Sequence, residues 1–283
     1  MSELAFYRAQ SVVTAPGPLE DLPGDPRALG LLVRGLLIHR EGTAPFGYEL
    51  PAERRAEAET RYAADILAVV RGRNPAPLTV PRAPDERFVG TCRDFAVLLC
   101  AFLRHTGTPA RVRCGYATYI EAGFHTDHWV TEYWRDGWRL VDAEMLAREM
   151  IEAFALPFDP MDVPREEFLV GGSAWRACRE GRADPATFGV RSVGLTGWEL
   201  VRGSVVSDLA ALNKVEMLPW DSWGTAEEDD PDLDLLDRAA ALGEAGGPFA
   251  ALHLLYLDSP GLRVPAEVLS HTTDGERLVT LRG

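Results

Sequence analysis

The sequence predicts an α+β fold, and three observations carry the prediction. An apolar helical pattern opens at Cys92 and closes at Gly107, two strand-like stretches at 110–120 and 128–142 follow it directly, and helical patterns flank this core on both sides. With 283 residues and 46% hydrophobic content, the chain can bury a sizeable core. The expected organisation is a single domain over 1–283, its core at about 85–146 and helical extensions before and after.

In chain order, residues 25–40, "DPRALGLLVRGLLIHR", open with Asp25 as a helix N-cap and Pro26 at the first helical position. Residues 52–71 are charged at the start and apolar at the end, as expected of a helix docked by its second half. Pro75, Pro77, Pro81 and Pro84 make 74–84 a loop that delivers the chain to Cys92. From there Phe95, Leu98, Leu99, Phe102 and Leu103 fall at helical spacing, and Gly107 suits a C-cap. The stretch "ARVRCGYATYI" reads as a strand, and "HWVTEYWRDGWRLVD" as two strands joined at Asp136-Gly137. Beyond 150 the pattern is mostly helical. Residues 221–237 hold eight acids and no base, the pattern of a solvated loop leading into a surface helix. Asn213, Lys214, Trp220 and Trp223 cluster in "DLAALNKVEMLPWDSWG"; of a cleft wall and ordinary helix packing, packing is the expectation.

Subtracting 43 acids from 29 bases leaves a net charge of −14. That argues against nucleic acid or an anionic membrane as partner, since both need clustered Lys and Arg. No apolar run is long enough to span a membrane, and "MSELAFYRAQ" lacks the basic and apolar regions of a signal peptide, so a cytoplasmic protein is expected. No phosphate-binding loop or metal motif is present, so no cofactor is expected.

Without a secretion signal, a disulfide framework among Cys92, Cys100, Cys114 and Cys178 is not expected, and no C-x-x-C spacing suggests zinc. Cys92 stands apart because it begins a helix. Free N–H groups and the positive dipole end there stabilise a thiolate, and Gly90 lets backbone donors approach a bound carbonyl. The alternative is a small buried hydrophobe, the usual fate of an intracellular cysteine.

A cysteine nucleophile needs a base, normally histidine, with an orienting group behind it. His39 ends an apolar pattern, and His253 and His271 have no accompanying pattern. His105 shares the Cys92 helix but lies roughly 20 Å away. His125 and His128 remain, and hairpin register decides between them. A two-residue loop at Asp136-Gly137 makes no His–Asp pair. A three-residue loop, Arg135-Asp136-Gly137 with Gly137 left-handed, sets Trp134 opposite Trp138 and Val130 opposite Asp142, so His128 becomes a diagonal neighbour of Asp142. That register is adopted, with His128 as base and His125 structural. In an extended strand, His125 and His128 point to opposite faces and cannot share a metal ion.

The segment "GTCRDFAVLLCAFLRHTGTPARVRCGY…HWVTEYWRDGWRLVDAE" resembles the transglutaminase-like superfamily of papain-related thiol enzymes, and in particular its bacterial members. The resemblance covers residues 90 to about 144. It rests on Cys92-x-Asp94, the passage "FLRHTGTPARV", His128 with Glu132, and Trp138 four residues before Asp142. One departure is Trp129 directly after His128, where a small residue is common. The resemblance implies a Cys92–His128–Asp142 triad performing acyl transfer through a thioester on a peptide, amide or ester substrate. A hydrolase of the peptidase or amidase kind is the expected activity. The alternatives are an amide-forming acyltransferase on a small or carrier-bound substrate, and a non-catalytic binding module on the same fold.

Overall fold

The computed structural model describes residues 1–244, 247–272 and 275–283. The α+β architecture is present, and the chain divides into two compact units: Met1–Val112 with Trp129–Pro164, and Arg113–His128 with Arg165–Gly283.

The first unit contains α1 (Glu3–Arg8), α2 (Pro26–Leu36), β1 (Leu37–His39), α3 (Ala63–Arg73), β2 (Phe88–Gly90), α4 (Cys92–His105), β5 (Trp138–Val141) and α5 (Arg148–Ala153). It also holds the first part of β3 (Ala110–Ala117) and the last part of β4 (His125–Trp134). Helix α4 is its centre: every residue from Cys92 to Arg104 is buried, as its almost continuous apolar sequence requires. Helices α1, α2 and α3 pack on it, with Leu29, Val33, Ile66, Leu67 and Val70 in the core. Asp25 caps α2 by accepting from Ala28 N–H at 2.9 Å, with Pro26 at the first turn as expected.

Two local expectations are revised. Residues 37–39 leave the helix and pair in parallel with β2, so His39 is a strand residue. Residues 52–59 form a 3-10 turn rather than half of a long helix. This charged half has no apolar stripe to dock it. Instead its Glu57 carboxylate accepts from Arg54 Nε at 2.8 Å and from Val89 N–H at 3.0 Å, tying the turn to β2.

The second unit contains β6 (Phe168–Val170), α6 (Gly171–Arg179), β7 (Phe188–Val190), β8 (Leu195–Thr196), α7 (Trp198–Leu212), β9 (Asp221–Ser222), α8 (Leu233–Gly243), α9 (Phe249–Asp258), β10 (Glu267–Thr272) and β11 (Gly275–Thr280). The larger sheet has the order β6-β3-β4-β7-β8, with β5 also paired to β4; a separate sheet has the order β11-β10-β9. The acidic stretch begins buried: Asp221 belongs to β9 and its carboxylate accepts from Leu218 N–H at 3.0 Å. Trp223 is buried, and Asn213 closes the end of α7 by donating to Leu209 O at 2.8 Å.

A fully buried ion pair organises this unit. Arg113 of β3 donates through Nε and Nη2 to the two carboxylate oxygens of Asp208 on α7, at 2.9 and 2.8 Å. Asp208 Oδ1 also accepts from Cys114 N–H at 3.0 Å. Removing one partner strands the other charge in the core, which costs about 3–5 kcal/mol. Asp208→Ala is therefore expected to shift the denaturant unfolding midpoint strongly, whereas Arg148→Ala, which breaks an exposed pair with Glu152, leaves it unchanged. Equal midpoints for the two variants contradict this assignment.

Candidate active site

Cys92 is the first residue of α4 and is 7% exposed. The segment before it is fixed by β1: His39 pairs with Gly90, and Arg40 N–H donates to Gly90 O at 2.9 Å. Thr91 is the N-cap, and Asp94 reaches back from the third helical position to accept from Thr91 N–H at 2.8 Å. A Cβ on Gly90 would sit 2.8 Å from Asp94 Oδ2, so the carboxylate can close over the chain because position 90 is glycine. Burial raises the Asp94 carboxyl above its ordinary pKa, while Arg93 Nη1, 3.0 Å away, opposes the rise. The Cys92-x-Asp94 spacing is thus explained physically: Asp94 locks the helix terminus on which the thiol stands.

Strand β4 is keyed to this helix within the first unit. Thr131 Oγ1 donates to Ala96 O at 2.9 Å. Arg104 Nε donates to Ala110 O, and Trp134 N–H to Pro109 O, each at 2.9 Å, so the end of β4 lies toward the end of α4. The two elements run in the same sense. The Trp129 indole N–H is buried and has no hydrogen-bond partner among the described residues, a feature invisible in the sequence, where Trp129 stands out only as a departure.

The β4–β5 register is Trp134 opposite Trp138 through Thr131 opposite Val141, as the three-residue loop requires. The turn differs in detail, because Asp136 takes the left-handed conformation at φ 57° and Gly137 sits at φ 148°. Asp tolerates that region through its short polar side chain. Glu132 and Trp138 serve the scaffold. Arg111 Nε donates to Glu132 Oε2 at 2.7 Å, and the Arg111 guanidinium lies 4.0 Å from the Trp138 ring centroid.

Asp142 follows β5 and is buried. Its N–H donates to Pro160 O at 2.8 Å, and its Oδ1 accepts from Glu144 N–H and Met145 N–H at 3.0 and 3.3 Å. One carboxylate oxygen therefore caps the following 3-10 turn and fixes how the group points.

His128 is buried in β4, with the edges of Tyr119 and Phe168 at centroid distances of 6.1 and 6.3 Å. His125 lies in the same strand, stacked on Phe188 at 3.9 Å, which matches a structural role. His253 Nδ1 meets Asn213 Oδ1 at 2.7 Å, and His39 Nδ1 accepts from Glu41 N–H at 3.1 Å. All four cysteines are buried and none is joined in a disulfide, and burial pushes the Cys178 thiol up to about 11, helped by Asp184. Among the described residues, no group of three His, Cys, Asp or Glu side chains is arranged to hold a metal ion.

Cys92 thus opens a buried helix that is keyed to one strand of an antiparallel pair. Residues 52–143 match the family model of the transglutaminase-like superfamily. Among solved structures, the chain is similar to a candidate cysteine protease from Cytophaga hutchinsonii, at 16% sequence identity and a TM-score of 0.35. The likeness covers 60% of this chain and 46% of that one, so the chain spans less than half of that structure's length. No curated protein matches the chain. No helix among the described residues is long and apolar enough to cross a membrane.

Asp127, next to His128, gives a pH test of this strand. Burial pushes its carboxyl up to about 6, with His128 opposing. The folded state therefore holds that proton more tightly than the unfolded chain, and the stability it lends is lost as pH rises from about 4 to about 6. Asp127→Asn removes this loss, so its stability gain over the parent should grow by about 1–3 kcal/mol across that window. Melting curves at pH 4 to 7 check it, and a difference that is flat with pH refutes the assignment.

Proposed function

We propose that the chain is a thiol-dependent acyl-transfer enzyme that hydrolyses an amide or ester, with Cys92 as nucleophile, His128 as base and Asp142 as the residue that orients His128. The observation that carries this reading is the locked N-terminus of α4, whose positive dipole end bears Cys92. The β4–β5 register supports it, because continuing it brings Val130 into step with Asp142 and His128 two residues earlier on the same strand.

In this reading Cys92 Sγ attacks the substrate carbonyl carbon while His128 holds the thiol proton. The tetrahedral intermediate collapses to a thioester as His128 protonates the leaving amine or alcohol. Water, deprotonated by His128, then releases the acid and restores the thiol. Asp142 keeps the imidazole in the useful tautomer and stabilises its charged form.

Cys92 should be alkylated fastest of the four thiols near neutral pH, since helix N-terminal thiols ionise below the usual value of about 8.5 and the Cys178 thiol is held near 11. Limited iodoacetamide labelling with peptide mapping decides this. Faster labelling of Cys100, Cys114 or Cys178 removes the basis for the triad.

Asp142→Asn retains an Oδ1 able to accept from Glu144 and Met145 N–H, so the melting temperature should hold. Acylation of Cys92 by amide or ester substrates, read by intact mass, should slow on the order of 10²-fold. Asp142→Ala loses the cap as well and should be less stable by about 1 kcal/mol. An unchanged acylation rate in the stable Asn variant sinks Asp142 as a triad member.

A further inference from the structure

The second unit carries a nucleophile–base–acid arrangement of its own, made from residues that the Cys92 chemistry does not use. In the sheet β11-β10-β9, Ser222 pairs with Leu269, and Leu269 with Leu278. One row along, His271 pairs with Glu276, and its N–H donates to Trp220 O at 2.9 Å. Directly opposed residues share a face and so do residues two apart, so Ser222, His271, Glu276, Leu269 and Leu278 all lie on one side. That side faces solvent: Val268 and Ser270, which point the other way, are 1% and 0% exposed, while Leu278 is 73% exposed.

The side chains are in contact. Ser222 Oγ lies 2.8 Å from His271 Nε2, and His271 Nδ1 lies 3.2 Å from Glu276 Oε1. A carboxylate beside Nδ1 favours the tautomer with its proton there, which leaves Nε2 to accept from the Ser222 hydroxyl. Glu276 thus selects the tautomer that aims the Nε2 lone pair at the serine proton, the division of roles a hydroxyl nucleophile needs. Glu227 Oε1 lies 3.9 Å from Nε2 on the same side of the imidazole. Leu269 and Leu278 extend in a row beside Ser222 and give an apolar acyl chain a surface to lie on. The surrounding Glu227, Glu267 and Glu276 disfavour anionic substrates.

We propose that Ser222, His271 and Glu276 form a second acyl-transfer site, independent of Cys92, that takes uncharged esters with an apolar acyl group. Ser222 Oγ bonds to the ester carbonyl carbon as its proton passes to His271 Nε2. The carbonyl–oxygen bond to the alcohol breaks, and the alcohol leaves with that proton. Water then attacks the acyl-serine with His271 as base, releasing the acid and returning the proton to Ser222.

The test uses full-length protein carrying Cys92→Ala, so that failure of the thiol mechanism cannot be mistaken for failure of this one. An alkyl fluorophosphonate is the probe, with the modified serine located by peptide mapping. Ser222 should be labelled before any other serine, and His271→Gln should slow labelling by about 10²-fold or more. Glu276→Gln should slow it less, and p-nitrophenyl butyrate hydrolysis should disappear with Ser222→Ala. His271 and Glu276 are exposed and Ser222 is half-buried, so melting temperatures should hardly move. Absence of a Ser222 adduct, or an equal labelling rate in a folded His271→Gln protein, overturns the proposal.

Discussion

The closure of Asp94 onto Thr91 is the constraint on which the candidate thiol site depends. A helix terminus leaves its first N–H groups without partners, and a chain entering it is free to fray. Here the carboxylate takes Thr91 N–H, Gly90 makes room for it, and β1 holds Gly90 from outside. The Cys92 backbone is thereby fixed in the first turn of a helix that is itself buried on every side. Asp94 remains burdened by its own burial, so Arg93 beside it is part of the same device.

A second layer of constraint sets the strand that follows. Thr131 attaches β4 to α4 through Ala96, and the buried Arg111–Glu132 pair under Trp138 holds β3, β4 and β5 in one register. Glu132 and Trp138 belong to the same motif as His128 and Asp142, yet their work is mechanical. They specify which residues of β4 and β5 stand opposite one another, and a slip of one residue would turn every side chain to the other face. Asp142 combines both kinds of work, since its Oδ1 caps the turn after β5 while the carboxylate is held in a defined direction.

The second unit relies on a different economy. A single ion pair, Arg113–Asp208, joins β3 to α7 in its interior, while the Ser222–His271–Glu276 arrangement lies on an exposed sheet face. The first is isolated from water and structural. The second is open to solvent, where electrostatic attraction is screened and geometry matters more than strength.

Periodicity and punctuation were enough to read the α+β class, the helix from Cys92, the strand after Pro109 and the hairpin register ending at Trp134 and Trp138, because these depend on local spacing and turn chemistry. The singling out of Cys92, His128 and Asp142 was equally local, resting on a helix start, a strand and a motif. What the tertiary structure decided lies between segments distant in sequence. Glu57 turned a helix-like stretch into a 3-10 turn by reaching Val89, and residues 37–39 became a strand because β2 was there to pair with them. His271 likewise acquired Ser222, 49 residues away, as a neighbour. The Glu57–Val89 contact and the β1–β2 pairing have no signature at fixed spacing, because they arise when folding removes remote polar groups from water and each must find a partner.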